Sequence, residues 1–95
     1  VGPITLNRKR HQVVCNGREA KLTPKLTSLL STLMNKPGEV LERKKLFKKI
    51  WQTEYTDDTR TLDVHISWLR KAIEEDPRNP KYLITIRGVG YRLDV

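Results

Sequence analysis

Apolar positions along this chain alternate at first and then fall at helical spacing. Ile4-Thr5-Leu6, Gln12-Val13-Val14-Cys15 and Glu19-Ala20-Lys21-Leu22 read as short strands, and Asn16-Gly17 between the last two is a strong hairpin signal. Thr23-Pro24 supplies an N-cap and a first-turn proline, after which Leu26, Leu29, Leu30, Leu33 and Met34 recur on one helical face that ends at Pro37-Gly38. A short extended segment, Glu39-Val40-Leu41, leads into a second helix from Arg43 to Trp51, whose Leu46, Phe47, Ile50 and Trp51 share a stripe. The segment from Gln52 to Asp58 has neither period and reads as an exposed acidic loop. Thr59 or Asp58 is placed to cap a third helix, whose stripe of Leu62, Ile66, Leu69 and Ile73 runs on to about Glu75, before Pro77. Two β-rich runs, Tyr82 to Arg87 and Tyr91 to Val95, close the chain around Gly88-Val89-Gly90, a turn whose two glycines allow positive φ. The order predicts an α+β fold: a winged helix-turn-helix with an N-terminal antiparallel sheet, three helices and a C-terminal β-hairpin wing.

The third helix has two distinct faces. With Leu62 set at zero and 100° per residue, the other three apolar positions of its stripe fall within about 40°, which fixes the core direction. The opposite face holds Arg60, Val64, Ser67 and Lys71, flanked by Thr61 and Trp68. Val64 and Trp68 would face water in a free monomer, whereas a helix entering a DNA major groove carries small, apolar and basic groups on that face. Trp68 also admits a packing role against the hairpin.

Charge sharpens the picture. Nineteen Lys and Arg against eleven Asp and Glu give a net +8, which points to a polyanionic partner. Residues 1–50 carry 12 basic and 3 acidic residues, net +9, while residues 51–95 carry 7 and 8, net −1. The second helix contains Arg43, Lys44, Lys45, Lys48 and Lys49 without an acid, although cations in a first turn oppose the helix dipole. A phosphate backbone beside Arg43, Lys44 and Lys48 would explain them, as would a merely solvated basic face.

The 95 residues fit one domain. A lone Cys15 beside His11 and His65 offers no metal-ligand spacing and no internal disulfide. No carboxylate pair, nucleophile motif or phosphate-cradling glycine loop is present, so neither an enzyme nor a cofactor site is expected. No run approaches the ~18 apolar residues of a membrane span, and the first thirty residues lack a signal-peptide core, so the expectation is a cytoplasmic protein without membrane contact.

The motifs then become specific in combination. Leu22-Thr23-Pro24-Lys25, Pro37-Gly38-Glu39-Val40, Leu46 to Trp51, the run Asp58-Thr59-Arg60-Thr61-Leu62-Asp63-Val64-His65-Ile66-Ser67 and the run Ile86-Arg87-Gly88-Val89-Gly90-Tyr91-Arg92 occur in this order. Over nearly its whole length the chain resembles the effector domain of OmpR/PhoB-type response regulators. The resemblance implies a transcription-regulating domain that binds double-stranded DNA, joined in the full-length protein to an N-terminal phosphorylatable receiver domain. It implies a head-to-tail dimer on direct-repeat half-sites, and contact with RNA polymerase through the loop carrying Glu54, Tyr55, Asp57 and Asp58.

By motif position, Arg60 and Thr61 correspond to phosphate contacts and Val64, His65 and Trp68 to positions near base edges. Arg70, Trp51 and Tyr91 correspond to backbone contacts, and Arg87 to the wing arginine of the minor groove. Lys71 joins the phosphate candidates from its place on the polar face. The chain departs from the family pattern at Leu26, where a Glu would complete a capping box, and at Glu42, where a capping hydroxyl is usual. Trp68 stands where a basic residue is common. Two other classes remain open on sequence grounds: a winged helix docking a protein through Val64 and Trp68, and, remotely, an enzyme.

Overall fold

The computed structural model describes residues 1–53 and 59–95. Strands β1 (Ile4–Asn7), β2 (Gln12–Cys15) and β3 (Arg18–Lys21) form an antiparallel sheet in that order. The β2–β3 connection is the two-residue turn read from sequence: Asn16 and Gly17 both take positive φ, 51° and 80°, as the turn that matches strand twist requires. Ile4, Val13 and Cys15 point inward and are fully buried.

Helix α1 (Pro24–Met34) starts as expected, with the Thr23 hydroxyl accepting from the Leu26 N–H at 3.2 Å. Leu26 cannot return the second bond of a capping box, but it is buried at 6% exposure, so the position serves the core instead. The extended link after α1 is β4 (Val40–Glu42), which pairs with the last strand of the chain. Helix α2 (Arg43–Trp51) follows directly and ends at Gln52, which takes a left-handed φ of 52°. Glu42, at the N-cap of α2, makes no capping bond and pairs with Lys45 at 3.3 Å.

Helix α3 (Arg60–Ile73) buries Leu62, Ile66, Leu69 and Ile73, the stripe that sequence predicts, against α1 and the inner face of β2 and β3. Two expectations at its ends need correction. Thr59 occupies the N-cap but makes no capping bond, because its hydroxyl accepts from the Arg43 guanidinium at 2.9 Å; Asp58 lies outside the described residues. The helix stops at Ile73, short of Glu75, because Glu74 turns extended (φ −83°, ψ 140°) and buries its carboxylate.

That carboxylate accepts from the backbone N–H groups of Lys81, Tyr82 and Leu83, each with a closest approach of 2.8 to 3.1 Å. It thereby fixes the entry to β5 (Leu83–Ile86), which pairs with β6 (Gly90–Leu93) in a second antiparallel sheet of order β4-β6-β5. The wing is therefore anchored by a third strand. Gly88 does use positive φ, at 74°. Gly90 does not, contrary to expectation: it lies opposite β4, where a Cβ would collide with the Leu41 carbonyl oxygen. No helix among the described residues is long and apolar enough to cross a membrane.

Candidate nucleic-acid interface

Because the stripe on α3 is buried, the opposite side of that helix becomes a surface. Arg60, Thr61, Val64, Ser67, Trp68 and Lys71 are all exposed there. Val64 and Trp68 are 45% and 47% exposed, two of the few large apolar side chains left open among the described residues. The face that helical geometry selects from sequence is thus the face the fold presents.

A line of rings connects that surface to the core. Phe47 is buried and stacks on Trp51, with centroids 4.9 Å apart and planes 11° from parallel. His65 meets Trp51 edge-on at 4.9 Å, and Trp68 lies 5.1 Å from His65. The His65 Nδ1 lies 2.8 Å from the Thr61 carbonyl oxygen, which can only accept, so Nδ1 bears the proton and the ring orientation is set. Lys25 lies over the Trp51 ring at 5.7 Å and donates to the Ile50 carbonyl at 3.0 Å, satisfying a carbonyl in the last turn of α2. Trp51 is accordingly half-buried at the junction of α1, α2 and α3, next to the candidate surface.

A second cluster escaped the sequence reading. Arg43, the first residue of α2, makes a two-pronged ion pair with Asp63 on α3, at 2.5 and 2.8 Å. The Tyr91 hydroxyl of β6 donates to the same carboxylate at 2.5 Å. The Arg43 hydrogen bond holds the Asp63 carboxyl below its ordinary value despite partial burial, and Asp63 raises Arg43 in return. Burial first, and the Asp63 carboxylate second, push the Tyr91 phenol up to about 12.

This cluster joins α2, α3 and the wing, and two residues expected at phosphates, Arg43 and Tyr91, take part in it. Tyr91 is only 4% exposed, with its hydroxyl turned to Asp63, and the Arg43 guanidinium points at Asp63 and Thr59. A signal did exist: Arg43 is a cation in the first turn of a helix that contains no acid, which calls for a tertiary partner.

Arg70 is likewise turned inward. It donates to the Leu83 carbonyl at 3.0 and 2.9 Å and to the Thr85 hydroxyl at 2.7 Å, and lies 6.0 Å from the centre of the Tyr91 ring. This residue, expected at the DNA backbone, ties α3 to β5. Arg87 and Val89 are exposed at the tip of the wing, next to Gly88, and the Val89 carbonyl accepts from the Arg43 N–H at 3.1 Å, tethering the tip to the start of α2. Lys44 and Lys48 are exposed along α2. Glu54, Tyr55, Asp57 and Asp58, expected to form an acidic loop, lie outside the described residues.

Residues 17–93 match the family described as "Transcriptional regulatory protein, C terminal". The chain belongs to that family. It is 46% identical over 93 residues to the sensory transduction protein RegX3 of Mycolicibacterium smegmatis, a match covering 98% of this chain and 41% of RegX3. The response regulator DrrB of Thermotoga maritima, an OmpR/PhoB homolog, shares the fold at a TM-score of 0.84 and 34% identity, over 99% of this chain and 42% of DrrB. The DNA-binding domain of Klebsiella pneumoniae RstA, solved in complex with the RstA box, gives a TM-score of 0.84 at 28% identity, over 98% of this chain and 92% of that one.

The chain thus spans less than half the length of RegX3 and of DrrB. As a member of this family it is a winged-helix output domain of the OmpR/PhoB response-regulator type, with the α+β architecture expected from sequence. Within that frame the inward contacts of Arg43, Arg70 and Tyr91 hold the scaffold, and α3 with the wing tip supplies the open surface.

Proposed function

We propose that this domain binds double-stranded DNA sequence-specifically, as the output module of a two-component transcriptional regulator. Helix α3 enters the major groove with Val64, His65 and Trp68 at base edges, and the β5–β6 wing sets Arg87 at the minor groove. Arg60, Thr61, Lys71, Lys44 and Lys48 position the domain on phosphates. The observation that carries this reading is the exposed face of α3, where two open apolar side chains stand among basic and hydroxyl groups on a net +8 domain. The RstA domain, solved bound to its box, has the same fold, which supports DNA binding.

The wider assembly belongs to the proposal as well: a receiver domain N-terminal to this one, head-to-tail pairing on direct repeats, and contact of RNA polymerase with the acidic loop of Glu54, Tyr55, Asp57 and Asp58. Acidic side chains repel phosphate and suit a basic protein partner. Catalysis has no part in this function.

Salt titration of duplex binding tests the reading. Four lysine or arginine contacts to phosphate give a fall in log K of about 3 to 4 per decade of salt. A flat dependence, with binding retained, would remove the phosphate contacts, and absence of duplex binding at low salt would transfer the Val64 and Trp68 face to a protein partner.

A further inference from the structure

We infer that Trp68 reads the C5-methyl group of a pyrimidine, in the first place thymine, in the major groove. The inference rests on the DNA-binding reading above and names the chemical group that α3 recognises. Trp68 is 47% exposed, and Val64, one helical turn earlier on the same face, is 45% exposed. Together they form an apolar strip on a helix face that also carries the cationic side chains of Arg60 and Lys71.

Indole has one N–H donor and a broad apolar surface, so it cannot make the paired bonds that an arginine makes to guanine O6 and N7. The thymine methyl is the one apolar group that a standard base pair presents in the major groove.

The ring is also held in place before any partner arrives. Trp68 packs on His65, His65 is fixed by the Thr61 carbonyl and by the edge contact to Trp51, and Trp51 stacks on the buried Phe47. A half-exposed tryptophan with this support has already given up much of its side-chain freedom, which lowers the ordering cost of contact. The same support argues against Trp68 as a packing residue for the wing, since its ring neighbour lies on α3 itself. 5-Methylcytosine presents the same methyl in the same groove, so the recognised class is the 5-methylpyrimidine.

The test uses the 95-residue chain and a duplex recovered by selection from a random pool. Each thymine of the recovered site is replaced in turn by deoxyuridine, which deletes the methyl and nothing else. Loss of one methyl contact weakens binding about four-fold at one or two positions. That loss disappears in Trp68→Ala, and 5-methylcytosine opposite guanine at the sensitive position binds more tightly than cytosine.

If Trp68→Ala fails to fold, Trp68→Gln, which keeps length and removes the apolar ring, is compared in the same way. A site tolerant of deoxyuridine throughout, or a deoxyuridine loss that persists in the Trp68 variants, overturns the inference and leaves DNA binding standing. Failure to enrich any duplex overturns both.

Discussion

Replacing Glu74 by Gln should destabilise the domain far more than its place at the end of a charged helix would indicate. The side chain is 2% exposed, and its two oxygens accept from three backbone N–H groups: Lys81 at 2.8 Å, Tyr82 at 3.1 Å and Leu83 at 2.8 Å. Glutamine keeps one acceptor oxygen and turns an NH2 donor toward the other N–H groups. At least one buried donor is then orphaned, at a cost of about 1 to 3 kcal/mol. The remaining bonds lose their charge assistance, roughly another 1 kcal/mol.

The expected loss is about 2 to 4 kcal/mol, or roughly 8 to 32 °C in Tm at the usual 4 to 8 °C per kcal/mol for a domain of this size. Urea and thermal denaturation of the wild-type and Glu74→Gln proteins at neutral pH measure it. A change below about 1 kcal/mol would refute the assignment of Glu74 as the anchor of the wing.

Asp63→Asn should flatten the acid limb of stability: the folded state lowers the Asp63 pKa, so its contribution is present above the unfolded value near 4 and is lost as pH falls through the folded one. Superimposable acid limbs would show that the Arg43–Asp63 pair adds nothing. Tyr91, with its pKa raised to about 12, has the opposite window: its contribution is present below pH 10 and is lost as pH rises toward 12, so Tyr91→Phe should fall less steeply there, and equal slopes would count against the cluster. Arg87→Ala, at the exposed wing tip, should weaken binding most on A·T-flanked sites, where the minor groove is narrow and strongly negative; an equal loss on G·C-flanked sites would make Arg87 a general phosphate contact. Trp68→Arg should move base preference toward guanine at one or two positions by about 1 to 3 kcal/mol, and an unchanged selected site would contradict that.

What could be read from sequence was what rests on local rules. The stripe of Leu62, Ile66, Leu69 and Ile73 fixes α3 and, by opposition, its open face, while Asn16-Gly17 fixes the first hairpin and Thr23 the start of α1. Contacts between elements distant in sequence carry no such periodicity. Asp63 meets Arg43 across 20 positions and Tyr91 across 28, and Arg70 reaches β5, so three residues placed at the DNA backbone by charge or motif position also make contacts within the fold that no local pattern reveals. Gly90 illustrates the same limit, because the reason for it lies in the approach of β4, which no local turn rule reveals.

The most direct test of α3 in the major groove is tethered DNA cleavage. Ser67→Cys places a thiol on the exposed face of α3 between Val64 and Trp68, whereas the native Cys15 is fully buried and escapes labelling. An iron chelate attached there should cut a selected duplex with the strand offset of a reagent in the major groove. Thr5→Cys, exposed on the far side of the β1–β2–β3 sheet, should leave the duplex intact when labelled in the same way. Equal cutting from both positions, or a minor-groove offset from position 67, would contradict the account.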